Sequence, residues 1–210
     1  MNDASSSTAG RSGLILILSG PSGSGKSSIY KAAIGELGGI EFSVSCTTRA
    51  PRPGEVDGRD YHFISREEFD RLVAEGAFAE HAEVHGNCYG TLKSELLGRV
   101  RRGIDVLLDI DVQGAARLRA LCADSDVFCR ACVFIFIMPP SREELERRLR
   151  ARGTETEESI LRRLANAEGE MGHASEYDHV IVNDDLARAA AEFVSLVRGL
   201  RSNPNRQPAT

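Results

Sequence analysis

The chain has 210 residues, of which 41% are hydrophobic and 27% charged, and a formal net charge of −5. That length supports one full-sized core with room for an inserted lobe, and the acidic balance speaks against broad binding to nucleic acid or anionic membranes. No apolar run reaches the ~20 residues that cross a bilayer, and the five cysteines come without a secretory leader, which points to a reducing cytoplasm.

Residues 1–12 are polar and small, and are expected to form a disordered lead-in. "LILILS" (14–19) is a continuous apolar run of strand length, as expected for a strand buried on both faces. "GPSGSGKS" follows, Gly20 to Ser27, and satisfies G-x-x-x-x-G-K-[ST] between a strand and a helix. The chemistry of this loop lies in its backbone. Successive N–H groups turn inward around phosphate oxygens, and the helix N-terminus adds its positive end. Gly20, Pro21, Ser22, Gly23, Ser24 and Gly25 form the cradle. Lys26 is placed to reach the β- and γ-phosphates, and the Ser27 hydroxyl to ligate Mg²⁺. A chance match is a poor alternative with strand, loop and helix all in order. The chain is expected to bind a nucleoside triphosphate with its Mg²⁺.

"KSSIYKAAIGEL" is a helix ending at Gly38 and Gly39. From about 40 to 102 the rhythm changes. "EFSVS", "DYHFIS" and "FAEHAEVHG" are shorter, more alternating strands, suited to a small mixed or antiparallel sheet inserted into the core. Within it, "SVSCTTRAPRPGEVDGRDYHF" (43–63) sets Arg49 and Arg52 among prolines that limit backbone freedom. Arginine matches phosphate through parallel N–H bonds, and Tyr61 and Tyr89 offer phenol donors. A solvated charged loop is the plainer reading of that stretch. A carboxylate can accept from both N1–H and the 2-amino group of guanine, and hydroxyls can serve O6. Glu80, Ser45 and Thr91 are that chemistry, although spacing alone does not choose Glu80 over Glu83.

"IDVLLDID" (104–111) and "CVFIFIM" (132–138) are further buried strands, and "HVIVN" (179–183) is a fourth. Helical patterns near 112–121, 141–150, 157–172 and 184–200 separate them. The class is α/β: a parallel sheet with helices on both faces, made of residues 13–39 and 103–200. Asp109 and Asp111 end a strand beside the phosphate-binding loop. Either could hold Mg²⁺, directly or through water, or face an acceptor; the plainer reading is a buried aspartate at a strand end with no role. Cys129 and Cys132 form an isolated C-x-x-C, expected as buried, inert thiols at the start of a strand. The five histidines make no metal motif. Residues 201–210 read as a flexible tail.

Water is one acceptor for a γ-phosphate, but no N-K-x-D or D-x-x-G sequence accompanies the loop. The blocks "SGPSGSGKS", "FSVSCTTRAPRPGEVDGRDYHF", "DIDVQG", "RGTETEESILRRL" and "VIVND" together resemble the guanylate kinase family, the ATP:GMP phosphotransferases, across about residues 13–200. That resemblance implies that Ser45, Arg49, Arg52, Tyr61, Glu80, Tyr89, Thr91 and Asp111 hold GMP, with Glu80 chosen over Glu83. Asn183 would lie near the adenine of ATP, and Asp109 would join Ser27 at Mg²⁺, directly or through water. Residues 147–165 become a helical lid that brings Arg148, Arg152 and Arg163 onto the transferring phosphoryl group. Cys46, His81 and Cys88 depart from the family, which commonly has serine, tryptophan and tyrosine there. Two rivals remain: a non-catalytic module that binds a phosphorylated protein, and a kinase with another acceptor. The intact Lys26, Ser27 and lid arginines weigh against the first, and Glu80 with Ser45 and Thr91 against the second. The residues leave open dGMP and IMP use and the oligomeric state.

Overall fold

The computed structural model describes residues 11–84, 86–151 and 156–203. Most of the expected lead-in and tail, and residues 152–155 with Arg152, lie outside the described residues. β1 (Ile15–Ser19) leads through the glycine-rich turn into α1 (Lys26–Leu37) and then β2 (Ile40–Phe42). A second group follows: β3 (Cys46–Thr47), β4 (His62–Phe63), α2 (Arg66–Ala74), β5 (Phe78–Val84), β6 (Asn87–Leu92) and α3 (Lys93–Arg101). The chain then alternates through β7 (Asp105–Asp109), α4 (Val112–Asp124), α5 (Asp126–Ala131) and β8 (Cys132–Met138). It closes with α6 (Arg142–Ala151), α7 (Glu157–Gly172), β9 (His179–Val182) and α8 (Leu186–Arg201).

Five strands form one sheet in the order β2-β7-β1-β8-β9, every pair parallel. Side chains alternate between the faces of a strand, which explains the unbroken apolar run of β1. Leu16 and Leu18 pack against α1 and α8, where Ile29, Phe193 and Val197 are buried. Ile15 and Ile17 face the other way, toward Leu96 and Val100 of α3, Leu118 of α4 and Phe128 of α5. Both faces are covered, as the sequence leads one to expect. The C-terminal ends of β1 and β7 lie side by side, Leu18 opposite Asp109. Ligands in open α/β sheets gather at such ends.

The second sheet has the order β4-β3-β6-β5, with β3 and β4 parallel and the other pairs antiparallel. It packs α2 over a small core of Cys46, Phe69, Phe78 and Cys88, in which the two phenyl rings stack 4.6 Å apart. Helices α6 and α7 share a third core of Leu145, Leu149, Ile160, Leu164 and Ala167.

Three details differ from expectation. Residues 40–42, assigned to the inserted lobe, pair with β7 as the edge of the parallel sheet. Ile40 is partly buried and Glu41 and Phe42 are exposed, as befits an edge strand. The segment 93–101 is helical and buries Leu96 and Val100 in the main core, so it too departs from the lobe. Cys129 is exposed rather than buried, because 126–131 forms a helix that turns Phe128 and Ala131 inward instead; Cys132 alone opens the strand, buried.

At the opposite end of the sheet, Asp105 is fully buried at the start of β7. Its carboxylate accepts from Arg11 Nη1 at 2.7 Å, Arg201 Nε at 2.7 Å and the Leu14 N–H at 2.8 Å. Arg201 also donates to the carbonyls of Leu37 and Gly38, which end α1. One carboxylate thus ties the start of β1, the end of α1 and the last helix together. Removing one partner of a buried ion pair typically costs ~3–5 kcal/mol. Asp105→Ala is therefore expected to lower the unfolding free energy by that order, read as a fall in the urea midpoint, while leaving catalytic constants near wild type, since Asp105 lies at the far end of the strands. An unchanged midpoint would contradict this.

Candidate active site

The loop between β1 and α1 is shaped by the absence of side chains. Gly20 has φ of +140°, and a Cβ there would lie 2.3 Å from the Ile137 carbonyl oxygen of β8. Gly25 has φ of +95°, and its Cβ would lie 2.1 Å from Asn183 Nδ2. Only glycine meets both demands. The loop wraps a cavity of about 380 Å³ lined by Gly20 to Gly23, Gly25, Lys26 and Ser27 on one side and by Asp109, Asp111 and Glu170 on the other. Ser24 lies buried beneath it. Lys26 Nζ donates to the Gly20 carbonyl at 2.7 Å and sits 3.7 Å from Asp109 Oδ1. Burial raises the Asp109 carboxyl above its ordinary range, and Lys26 opposes the rise. Asp111 caps α4, accepting from the Gly114 N–H at 2.8 Å.

Two of the three arginines expected in a lid, Arg148 and Arg163, reach the same loop. Arg148 Nη2 donates to the Asn183 carbonyl at 2.9 Å, Nη1 to the Ser24 carbonyl at 3.4 Å, and Nε to Glu144 at 2.8 Å. Arg163 Nη1 donates to Ser22 Oγ. Asn183 is buried, and its Nδ2 donates to the Ser24 carbonyl at 2.7 Å. Its amide nitrogen is therefore committed to the loop, although the residue borders a smaller cavity of about 280 Å³ with Gly23, Gly25, Arg148 and Leu186.

The second sheet supplies a different wall. Thr91 donates to Glu80 Oε1 at 2.8 Å, which leaves the Ser45 hydroxyl to donate to Thr91 at 3.2 Å. Glu80 keeps lone-pair sites for other donors. Burial is the main cause of its raised pKa; the Thr91 bond and then the Arg117 charge oppose it, while Asp111 adds to it. Arg49 lies over the Tyr61 ring at 5.5 Å and bonds the Tyr89 side chain. It also donates to Glu55 Oε1 at 2.8 Å, and the Arg52 N–H donates to Glu55 Oε2 at 2.6 Å. The Arg52 side chain is exposed. A cavity of about 300 Å³ joins Ser45, Tyr61 and Thr91 to Asp109. Asp109 lines both cavities, so the cavity at the second sheet and the cavity at the glycine-rich loop adjoin there. Glu55 and Glu170 were not singled out from sequence, where each is one glutamate among many in a charged segment.

A family model for guanylate kinase matches residues 12–199. A guanylate kinase from Syntrophotalea carbinolica is 50% identical over 201 residues, covering 95% of this chain and 92% of that relative. The chain belongs to the guanylate kinase family. A second family member, from Nitratidesulfovibrio vulgaris, is 54% identical over 87% of this chain and 85% of its own. The crystal structure of guanylate kinase from Anaplasma phagocytophilum superimposes with a TM-score of 0.70 at 39% identity, covering 96% of this chain and 93% of that one. Family membership accounts for the pairing of a phosphate-binding loop with a separate mixed sheet.

Glu80 sets a trade-off that stability measurements can read. A carboxyl whose folded pKa is raised adds stability below its ordinary value of 4.5, and loses it as pH rises through the folded value. Glu80→Gln should therefore melt above wild type at pH 7, each kcal/mol being worth about 2–4 °C at this size. The gap should close toward pH 4. A variant less stable than wild type at pH 7 would mean that the carboxylate is stabilising in place.

Proposed function

We propose that the protein transfers the γ-phosphoryl group of MgATP to GMP, giving ADP and GDP. The observation that carries this reading is a pair of cavities that meet at Asp109 and Ile110, one lined by Ser45 and by Thr91, which bonds Glu80, and the other by Lys26 and Ser27. Family membership supports it.

In this reading the loop amides and Lys26 hold the β- and γ-phosphates, and α1 adds its positive end. Among the described residues no group of three or more His, Cys, Asp or Glu is arranged to hold a metal ion. Mg²⁺ suits such a site, because it takes most of its ligands from phosphates and water. Ser27 would ligate it and Asp109 would hold it, directly or through water; bound there, it neutralises charge on the β- and γ-oxygens. Arg49, Arg52, Tyr61 and Tyr89 grip the GMP phosphate, and Arg49 exchanges Glu55 for it. Glu80 accepts from guanine N1–H and the 2-amino group, Asp111 from the 2-amino group, and the Ser45 and Thr91 hydroxyls turn their protons from Thr91 and Glu80 to O6 once guanine takes up the carboxylate. Asn183 supports the loop beside the adenine.

The GMP phosphate oxygen is already anionic, so it attacks without a protein base. The bond to the ADP oxygen breaks as the new one forms, and Arg148, Arg152 and Arg163 neutralise the transferring group. Such a transfer needs water kept out. The second sheet, trimmed to about residues 43–92, and the lid of about 147–165 are the units proposed to close. The setting proposed is the cytoplasm. No helix among the described residues is long and apolar enough to cross a membrane.

ADP formation from MgATP with GMP, IMP, AMP or no acceptor tests this directly. GMP should give strong turnover and IMP much less. AMP should give no more than the acceptor-free blank, and Lys26→Ala should lose about 10²–10³-fold. Equal ADP release with and without GMP would make the protein an ATPase and overturn the reading.

A further inference from the structure

Glu170 places a carboxylate in a cavity otherwise furnished for phosphate. It follows Arg163 by seven residues on α7, about two turns, so both side chains leave one face of the helix. Buried Ile160, Leu164 and Ala167 set that face against α6. Arg163 meets Ser22, and Glu170 lines the cavity with Lys26, Ser27, Asp109 and Asp111. Burial raises the Glu170 carboxyl, Lys26 draws it down and Asp111 pushes it up. The Lys26 ammonium is already held by the Gly20 carbonyl and lies beside Asp109. A carboxylate facing polyphosphate costs affinity unless a cation lies between them. Mg²⁺ held by phosphates keeps several waters, and carboxylates that accept from a metal's ligands orient them.

We propose that Glu170 is a positioning residue for the metal, its carboxylate accepting hydrogen bonds from the water ligands of the Mg²⁺ that accompanies the nucleotide, across the cavity from Ser27. The inference rests on a metal–nucleotide in this cavity and does not depend on GMP as acceptor. It gives α7 a means of sensing the metal.

The test uses Mn²⁺ and ADP, so that no turnover intervenes. Free Mn²⁺ is read by electron paramagnetic resonance for wild type, Glu170→Gln and Glu170→Ala, and metal-free ADP affinity by calorimetry. Thermal melts check that the variants are folded. Loss of a hydrogen-bonding partner to a metal's ligands typically weakens metal affinity by about 10–100-fold. That loss is expected for Glu170→Ala, with a smaller one for Glu170→Gln, whose amide oxygen still accepts. Metal-free ADP should bind both variants as well as wild type or more tightly. Unchanged Mn²⁺ affinity in the folded variants, or an equal loss of metal-free ADP affinity, would overturn the proposal. Wild type that binds ADP with no help from Mn²⁺ would overturn it too, by removing the metal–nucleotide on which it rests.

Discussion

The cleft is organised around a loop with no room for a side chain. At Gly20 the backbone passes so close to the Ile137 carbonyl, and at Gly25 so close to the Asn183 amide, that a single Cβ would collide with either. Those neighbours belong to β8 and to the residue after β9, more than 100 positions further along the chain. The loop therefore has its shape only when the parallel sheet is assembled. Asn183 and Arg148 then hold the Ser24 carbonyl from outside, leaving the inward amides free for an anion.

From that fixed point two kinds of chemistry spread in opposite directions. Toward the lid the groups are cationic and reach the loop on long side chains, as suits a charge that moves during reaction. Toward the second sheet they are neutral hydroxyls around one buried carboxylate, as suits a base edge with fixed donors and acceptors. Burying Glu80 costs stability, and Thr91 returns part of it. The Asp105 clasp at the other end of the sheet has the reverse character, a fully partnered carboxylate that joins three elements far from the cleft.

Much of this was legible in the sequence, and what was missed has physical causes. Strands buried on both faces show as unbroken apolar runs, so 14–19, 104–111 and 132–138 emerged near their true bounds; 179–183 emerged too, although it is an edge strand with Val180 and Val182 exposed rather than a buried one. The glycine loop was legible because its chemistry is local. Residues 40–42 were not, since an edge strand exposed on one side looks like part of the lobe that follows it. Cys129 misled because it lies on the outer face of a six-residue helix that ends just before the strand that Cys132 opens. Among site residues, the hydroxyls and carboxylate of the second sheet could be nominated by chemistry, yet only the family resemblance chose Glu80 over Glu83. Glu55 and Glu170 carried no signal, because a glutamate turned into a cleft is spelled like one turned to water. The bond from Asn183 to Ser24 spans 159 positions and leaves no local pattern.

The central claim is that the phosphate-binding loop and the second sheet face each other across one continuous cleft. Binding of adenosine and guanosine joined 5′-to-5′ through five phosphates, measured by calorimetry in the presence of Mg²⁺, tests it most directly. If both ends engage together, the second binds at high effective concentration, and affinity should exceed that of ATP or GMP alone by about 10²–10⁴-fold. The compound should then compete with both nucleotides. Binding no tighter than GMP, with ATP still able to bind, would contradict a shared cleft and separate the two sites.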